Sequence, residues 1–184
     1  MKAARYSAVV LSAILAFTAA GCASAPSTKN IPAVASIDFG LFEGPWYEIA
    51  RIPIPIAGDW VGTTDTYIRR ADGDWNVLYE GWKGGFDGKK GSLGQRLRAV
   101  DPVIQGEMEA KPFPFVWMPY RIVYWNAEDE TMLITSGTMN YLWVMARAPL
   151  LDSAVYDRLT AEADRLGFDI ALLETVPQRP AGGL

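Results

Sequence analysis

Histidine is absent from the 184 residues, and cysteine occurs once, at position 22. Without histidine the chain lacks the usual general base, the commonest metal ligand and every Ser-His or Cys-His catalytic pair. A single cysteine forms neither an intramolecular disulfide nor a thiolate zinc cluster. These absences count against a hydrolase or a metalloenzyme, and we expect no catalytic residues, no metal and no cofactor.

Charge and composition narrow the remaining classes. The chain has 17 basic and 21 acidic residues and a net charge of −4, which gives a nucleic-acid partner no positive surface to bind. Half of the residues are apolar, 12% are aromatic and 21% are charged. The first two fractions exclude a disordered chain and the third excludes an integral membrane bundle, so we expect one globular domain.

The N-terminus carries the pattern of an export signal. Lys2 and Arg5 precede an apolar run at 8–17 that is too short to span a bilayer. Small residues at 18–21 then lead directly to Cys22, as in the lipobox of bacterial lipoproteins, which this segment resembles. An ordinary cleavage site beside a chance cysteine, or a buried free cysteine, is the alternative. We favour lipidation of Cys22 and a lipoprotein signal peptide at 1–21.

Residues 22–36 are small, polar and proline-bearing, and they predict a tether between the lipid anchor and a folded domain at 37–184. Ala23 stands where an aspartate would retain a lipoprotein in the inner membrane. The lipoprotein sorting pattern therefore implies a protein anchored in the outer membrane through Cys22 and facing the periplasm.

The rest of the chain has the spacing of an all-β protein. Short runs rich in Tyr, Trp, Val, Ile and Thr alternate with turn residues, which is typical of an antiparallel barrel or sandwich. A single helix, with its cap at Asp152 or Ser153 and its end at Gly167, follows them. The proline-rich run at 52–56 predicts a loop and a candidate lid. Strands are expected near 45–52, 63–70, 75–83, 93–100, 105–111, 119–126, 131–136 and 141–148.

Three segments carry a family resemblance. Gly44-Pro-Trp-Tyr-Glu-Ile-Ala-Arg51 resembles the opening motif of the bacterial lipocalins, in the branch that includes apolipoprotein D and the plant temperature-induced lipocalins. The runs at 141–147 and 167–169 match the closing strand and the segment after the helix of the same branch. The resemblance implies an eight-stranded antiparallel up-and-down β-barrel with one C-terminal α-helix packed outside.

In such a barrel the closed end needs a seal. Trp46 and Arg147 lie on the first and last strands, so we expect the guanidinium to stack on the indole there, with Gly44 as a further structural residue. The parity that turns Trp46 inward also turns Glu48 inward. A catalytic acid, a ligand acceptor and half of a buried ion pair are its possible roles, and we prefer a structural or polar-pocket role.

Strand parity and the resemblance together predict a ligand-binding wall. If Arg147 faces the lumen, alternate residues of the last strand face it too, and the resemblance turns further side chains inward on three other strands. On the sixth strand this leaves Arg121, Val123 and Trp125 outside. The predicted ligand-binding residues are Tyr67, Tyr79, Tyr120, Ile122, Tyr124, Tyr141, Trp143 and Met145.

The resemblance favours a carrier. It implies a membrane-anchored protein that binds, stores or transports fatty acids such as palmitate, lysophospholipids or similar amphiphiles in the cell envelope. A structural lipoprotein that docks through apolar loops at 52–56 and 112–117 is one alternative, and a lipid-modifying enzyme on the same barrel is another. The oligomeric state stays open, with a homodimer among the options. Without histidine, binding should vary little between pH 6 and 8 unless a shifted carboxylate titrates.

Overall fold

Eight antiparallel strands close into a barrel in the computed structural model, which describes residues 25–180. Neighbouring strands follow one another from β2 to β8, and β1 pairs with both β8 and β2, which closes the barrel. The segment at 1–21 and Cys22 lie outside the described residues. The strands are β1 Gly44–Arg51, β2 Trp60–Arg69, β3 Trp75–Lys83, β4 Lys90–Ala99, β5 Glu107–Phe113, β6 Val116–Asn126, β7 Thr131–Ser136 and β8 Thr138–Ala146.

The up-and-down order gives the barrel two distinct ends. Connections β1–β2, β3–β4, β5–β6 and β7–β8 lie at one end, called the open end, and connections β2–β3, β4–β5 and β6–β7 lie at the other, called the closed end. Helix α1, Phe39–Phe42, precedes β1 and begins at Asp38, whose carboxylate accepts a hydrogen bond from Gly40 N at 2.8 Å. Its last residue, Phe42, is fully buried in the barrel interior.

Helix α2, Ser153–Arg165, packs on the outside of the barrel. Asp152 caps it by accepting a hydrogen bond from Ala154 N at 2.8 Å, and Leu159 and Ala163 are buried against the outer face. A short strand, β9 Glu174–Thr175, then pairs with the end of β1. No helix within 25–180 has the length and apolar character that crossing a membrane requires. The predicted barrel with one helix packed outside is confirmed.

Strand ends at the open end differ from the prediction. Strands β2, β4, β6 and β8 each begin three residues earlier than expected, and all four begin at that end. Their first residues include glycines, which the sequence presents as turn signals. Gly91, for example, lies within β4, where it pairs with Gly81, and a Cβ at this position would stand 2.4 Å from a ring carbon of Trp60. The glycine therefore makes room for an aromatic side chain on the neighbouring wall.

The described part of the predicted tether is bound to the barrel. Thr28 N donates to Gly137 O at 3.1 Å, Met139 N donates to Pro26 O at 2.8 Å, and Val34 N donates to Ile122 O at 2.9 Å. Residues 25–36 include a short 3₁₀ helix at Thr28–Asn30 and are held against the barrel, so they are not the free linker that their composition predicts. The segment supplies backbone groups to strands of the barrel wall, and composition alone does not reveal such pairing.

Candidate ligand-binding cavity

The closed end is sealed by one stacked pair. Trp46 is fully buried, and its Nε1 donates to Phe42 O at 2.9 Å. The Arg147 guanidinium carbon lies 4.4 Å from the centroid of the Trp46 ring, as strand parity predicts. The same guanidinium donates to the backbone carbonyls of Leu41, Glu43 and Pro45, which fixes the chain around α1. The arrangement fits the structural role expected for both residues.

Glycine is required beside this pair. Gly44 has a φ of +101°, and a Cβ there would lie 3.2 Å from Arg147 Nη1. A side chain at this position would strain the backbone and crowd the guanidinium. The glycine of the opening motif thus permits the seal to form.

Large side chains fill the half of the barrel next to this seal, called the lower half. Phe42 meets Trp75 edge to face with ring centroids 5.0 Å apart, and Trp46 lies 5.4 Å from Trp125. Close packing of this kind leaves no space for a ligand. The other buried side chains of the lower half include Tyr67, Val77, Leu97, Met108, Ile122, Met132 and Met145.

A β-bulge in β6 changes the predicted parity. Ile122 pairs with Ile134 and Tyr124 pairs with Leu133, so Val123 is an extra residue on the β6 strand. Beyond the bulge, Tyr124 packs against the outer cluster under α2, and its expected inward orientation is wrong. Trp125, expected outside, faces inward and contacts Trp46. One extra residue flips every side chain that follows it in a strand.

The half of the barrel nearer the open end, called the upper half, holds a cavity of about 330 Å³. Its wall is mostly apolar, and Tyr141 and Trp143 stack on one side with ring centroids 6.1 Å apart. The β1–β2 loop covers part of the mouth with residues 54–57, so the predicted candidate lid is a loop that lines the cavity. Other lining residues are Leu93, Gly94, Gln95, Ala110, Pro112, Phe113, Met118, Pro119, Ile134 and Ser136.

The predicted ligand-binding residues divide between the two halves. Tyr79, Tyr120, Tyr141 and Trp143 line the cavity. Tyr67, Ile122 and Met145 also face inward, but they belong to the filled lower half. Sequence reasoning missed Asp65, which lines the cavity from β2. Its position two residues before the inward Tyr67 was a usable signal, because residues two apart share a face of a strand.

A buried ion pair lies between the two halves. The Glu48 carboxylate is fully buried, with Oε1 3.2 Å from Arg51 Nη1, and Oε2 accepts a hydrogen bond from Tyr79 OH at 2.9 Å. Arg51 Nη2 donates to Gly58 O and Trp60 O, each at 2.8 Å, and so pins the β1–β2 loop. Glu48 is thus half of a buried ion pair, the third of the roles its inward position allowed. A bulge between Glu48 and Ala50 brings Arg51 inside.

Asp65 stands beside this pair at the floor of the cavity. Tyr67 OH donates to its Oδ2 at 3.3 Å, and the Tyr67 and Tyr120 hydroxyls are hydrogen-bonded to each other. Its Oδ1 is buried and has no hydrogen-bond partner within residues 25–180. Burial, and then the negative charge of Glu48, raises the pKa of Asp65 to about 7. Burial likewise raises the pKa of Tyr79 well above its usual value.

The wall and floor of the cavity differ in their chemistry, since apolar and aromatic side chains form the wall and a few polar groups lie at the floor. Tyrosine hydroxyls donate to the carboxylates of Glu48 and Asp65 at the floor, and no nucleophile with an adjacent base stands among the described lining residues. Within the same residues, 25–180, no three acidic side chains converge to hold a metal ion. Aromatic walls and a few convergent polar groups are the usual composition of a small-molecule pocket.

A family model described as a lipocalin-like domain matches residues 37–178. The chain is 26% identical over 170 residues to the outer membrane lipoprotein Blc of Escherichia coli K12, covering 92% of this chain and 96% of that protein. It is 27% identical over 159 residues to temperature-induced lipocalin-1 of Arabidopsis thaliana, covering 82% of this chain and 84% of the plant protein.

Solved structures show the same fold at lower sequence identity. Insecticyanin from the tobacco hornworm Manduca sexta superposes with a TM-score of 0.65 at 16% identity, over 82% of this chain and 85% of that one. The cockroach allergen Per a 4 gives a TM-score of 0.63 at 14% identity, over 80% of this chain and 92% of that one.

Proposed function

We propose that this chain, which belongs to the lipocalin-like domain family, binds single-chain amphiphiles in the upper half of its barrel. The observation that carries the proposal is the apolar, aromatic-walled cavity of about 330 Å³ near the open end. That volume lies at the lower end of the range typical of small-molecule sites, which suits one extended chain. The resemblance seen in the three sequence segments is confirmed by the family match.

Fatty acids such as palmitate and lysophospholipids are the amphiphiles that we propose as ligands of this cavity. Each buried methylene contributes about 0.8 kcal/mol, so ten of them supply about 8 kcal/mol before the cost of immobilising the chain. That figure corresponds to a dissociation constant of about 1 μM and is the upper limit of the affinity that ten methylenes supply. The protein would then store or transport such molecules rather than convert them.

Titration of lipid-stripped Cys22→Ser protein tests the binding proposal. Palmitate and a lysophospholipid should each saturate one site at micromolar concentration, with a change in tryptophan emission because Trp143 lines the cavity. A folded protein that binds neither would remove the carrier function. Mass spectrometry of lipids retained after gentle extraction would identify the native ligand.

We also propose that Cys22 is lipidated and anchors the protein in the outer membrane, facing the periplasm. The proposal is supported by the small residues before Cys22 and by similarity to a protein named an outer membrane lipoprotein. Cys22→Ser should release a soluble or unprocessed form. Equal membrane fractionation of variant and wild type, without labelled acyl chains on either, would contradict the anchor.

One observation favours a structural or docking role as the second candidate. The β5–β6 turn exposes Phe113, Phe115 and Val116, and Phe115 is 94% exposed. Exposed aromatics of this kind mark interaction surfaces. A barrel that carries no lipid after extraction and binds no amphiphile would favour this role, and turnover of a bound lipid would favour the enzyme alternative.

A further inference from the structure

One acceptor at the floor of the cavity is left unsatisfied by the fold. Among the cavity-lining residues within 25–180, Asp65 alone has a buried side-chain oxygen without a hydrogen-bond partner. Buried polar atoms in native proteins are nearly always hydrogen-bonded. An unpaired acceptor on the wall of a ligand cavity therefore indicates a donor that the ligand brings.

The cation nearest to this floor is not free to bind a carboxylate. Arg51 directs Nη1 at Glu48 and Nη2 at the carbonyls of Gly58 and Trp60. With Glu48 paired to Arg51, the Asp65 carboxylate has no positive partner within residues 25–180. A ligand carboxylate placed here would meet a second carboxylate in a low-dielectric site, which is unfavourable.

We propose that Asp65 is the hydrogen-bond acceptor for a ligand hydroxyl at the floor of the cavity, and that this end excludes a carboxylate. The inference rests on the proposed amphiphile binding and adds its selectivity. Alkyl chains that end in a hydroxyl bind with that group on Asp65. Fatty acids bind in the opposite direction, with the methyl end on the floor and the carboxylate at the open end.

The protonation state of Asp65 should make the affinity for fatty acids depend on pH. The charged and titratable groups around Asp65 are Glu48 and Arg51 on β1, Tyr67 on β2, Tyr79 on β3 and Tyr120 on β6. Because the pKa of Asp65 is raised to about 7, its carboxyl is largely protonated at pH 6 and ionised at pH 8. A fatty acid stays ionised across that interval, since ordinary carboxyls titrate near about pH 4. In the reversed orientation the methyl end of the fatty acid covers Asp65, and covering a charged carboxyl costs more than covering a neutral one. Fatty-acid binding should therefore strengthen as the pH falls from 8 to 6.

The experiment compares 1-decanol with decanoate on lipid-stripped Cys22→Ser protein, with and without Asp65→Asn. At pH 8 the ratio of the two dissociation constants should favour decanol, and Asp65→Asn should reduce that ratio at least tenfold, chiefly by tightening decanoate. The control Asp164→Asn, an exposed carboxylate on α2, removes the same charge and should leave the ratio unchanged.

The wild-type protein provides a second measurement should Asp65→Asn fail to fold. Its decanoate affinity should rise severalfold from pH 8 to pH 6 while its decanol affinity stays constant. An unchanged ratio in the folded variant, or a decanoate affinity independent of pH, would overturn the role of Asp65 with amphiphile binding intact. If neither decanol nor decanoate binds, the proposed function itself is overturned.

A separate observation concerns the direction in which the cavity opens. The N-terminal segment reaches the barrel at the open end, where Thr28 N donates to the carbonyl of Gly137 in the β7–β8 turn and Pro26 O accepts a hydrogen bond from Met139 N just after it. Cys22 precedes Pro26 by four residues, which span at most about 14 Å. The proposed lipid on Cys22 would therefore be attached within about 14 Å of Pro26 at the open end.

The same end has the chemistry of a membrane-contacting surface. Its exposed apolar side chains include Phe115 and the half-exposed Ile56, Phe113 and Val116. The ε-ammonium of Lys111 lies 5.9 Å from the Phe115 ring centroid. Charge at the open-end connections and strand ends is mainly basic, whereas the turns of the closed end are mainly acidic. The open end carries Lys83, Lys89, Lys90 and Lys111 against Asp59 and Asp87.

We infer that the mouth of the cavity rests on the phospholipid surface in which Cys22 is anchored, with residues 113–117 at the level of the head groups. The inference rests on the proposed anchor. Apolar side chains flanked by lysines suit an anionic lipid surface. Ligands then pass between membrane and cavity without crossing water.

Lipidated protein in vesicles tests this orientation, since Cys22 is consumed by its thioether and an introduced cysteine is then the only free thiol. A fluorophore on Phe115→Cys should be quenched by spin-labelled lipids, and the same fluorophore on Asp72→Cys, at the closed end, should not. Equal quenching, or stronger quenching at position 72, would overturn the orientation. Wild-type protein that does not associate with vesicles would overturn both the anchor and the orientation.

Discussion

The two halves of the barrel use similar side chains to opposite effect. In the lower half Phe42, Trp46 and Trp75 meet across the lumen and fill it. In the upper half Tyr141 and Trp143 stack along one wall while small residues such as Gly94 and Ala110 line other parts of it. An aromatic side chain fills space only where large neighbours face it. The small residues of the upper half leave a cavity, and the layer with Glu48 and Asp65 separates the two halves.

The two halves should therefore respond differently to substitution. Substitutions in the lower half should lower the free energy of unfolding and have little direct effect on ligand affinity. Substitutions in the upper half should change the affinity while the barrel stays folded. The layer with Glu48 and Asp65 belongs to both, because its buried charges affect folding and Asp65 lines the cavity. Four sets of substitutions, taken from the largest expected effect to the smallest, test this division.

Trp46→Ala should have the largest effect. Removing a fully buried indole leaves a large cavity and should lower the free energy of unfolding by about 3–5 kcal/mol in chemical denaturation. Arg147→Ala should cost about 2–3 kcal/mol, through the lost stack and the unpaired carbonyls around α1. The double variant should lose less than the sum. Additive losses would show that the two side chains do not act as one seal.

Asp65→Asn should stabilise the protein in alkaline solution. The folded-state pKa of Asp65, about 7, lies above the usual 3.8, so the folded state binds the extra proton between these values and stability falls as the pH rises through them. The amide carries no such penalty. At pH 8 the variant should therefore exceed the wild type by about 2–4 kcal/mol, with the difference vanishing near pH 4. A variant no more stable than wild type at pH 8 would contradict the buried, unpaired carboxylate.

Trp143→Ala should weaken palmitate binding by about 1–3 kcal/mol, because it removes part of the apolar cavity wall. The barrel should remain folded by circular dichroism. Trp117→Ala is the matched control, since this tryptophan packs under Arg98 and does not line the cavity. Equal losses of affinity in the two variants would place the ligand outside the upper half.

Tyr124→Ala should have the smallest effect on binding, below about 0.5 kcal/mol, because Tyr124 packs in the outer cluster under α2. Strand parity without the β6 bulge would make it a cavity residue with an effect similar to that of Trp143. Palmitate titration of the two variants side by side distinguishes these arrangements. A large loss of palmitate affinity in Tyr124→Ala would show that the side chains of β6 alternate without a bulge.

Strand alternation predicts the seal and much of the cavity from the sequence. Trp46, Arg147 and Trp143 lie where parity and the family motifs indicate, and Tyr120 lies where the resemblance places it. The bulges near Ile49 and Val123 are not visible in a single sequence, because an extra residue in one strand is defined by the partner strand opposite it. Each bulge moved a side chain across the wall: Arg51 went inward, and Tyr124 went outward.

Two other features could not be predicted from the sequence, for a different reason. The segment at 25–36 has the composition of a linker, yet its backbone groups bond to the barrel, and backbone pairing leaves little trace in side-chain composition. The volume of the cavity likewise depends on which small residues stand opposite which aromatics. Asp65, in contrast, follows from the parity of Tyr67 and needed only the same rule applied once more.

The most direct test of the account is a crystal structure of the Cys22→Ser protein with 12-bromododecanoic acid. The account predicts one bromine peak at the floor of the upper half, near Tyr120 and Asp65, with the chain running past Trp143 and the carboxylate at the open end. Bromine at the mouth with the carboxylate on the floor would overturn the role of Asp65. An empty cavity with ligand only on the exposed residues 113–117 would contradict the central claim that the upper half of the barrel is the binding site.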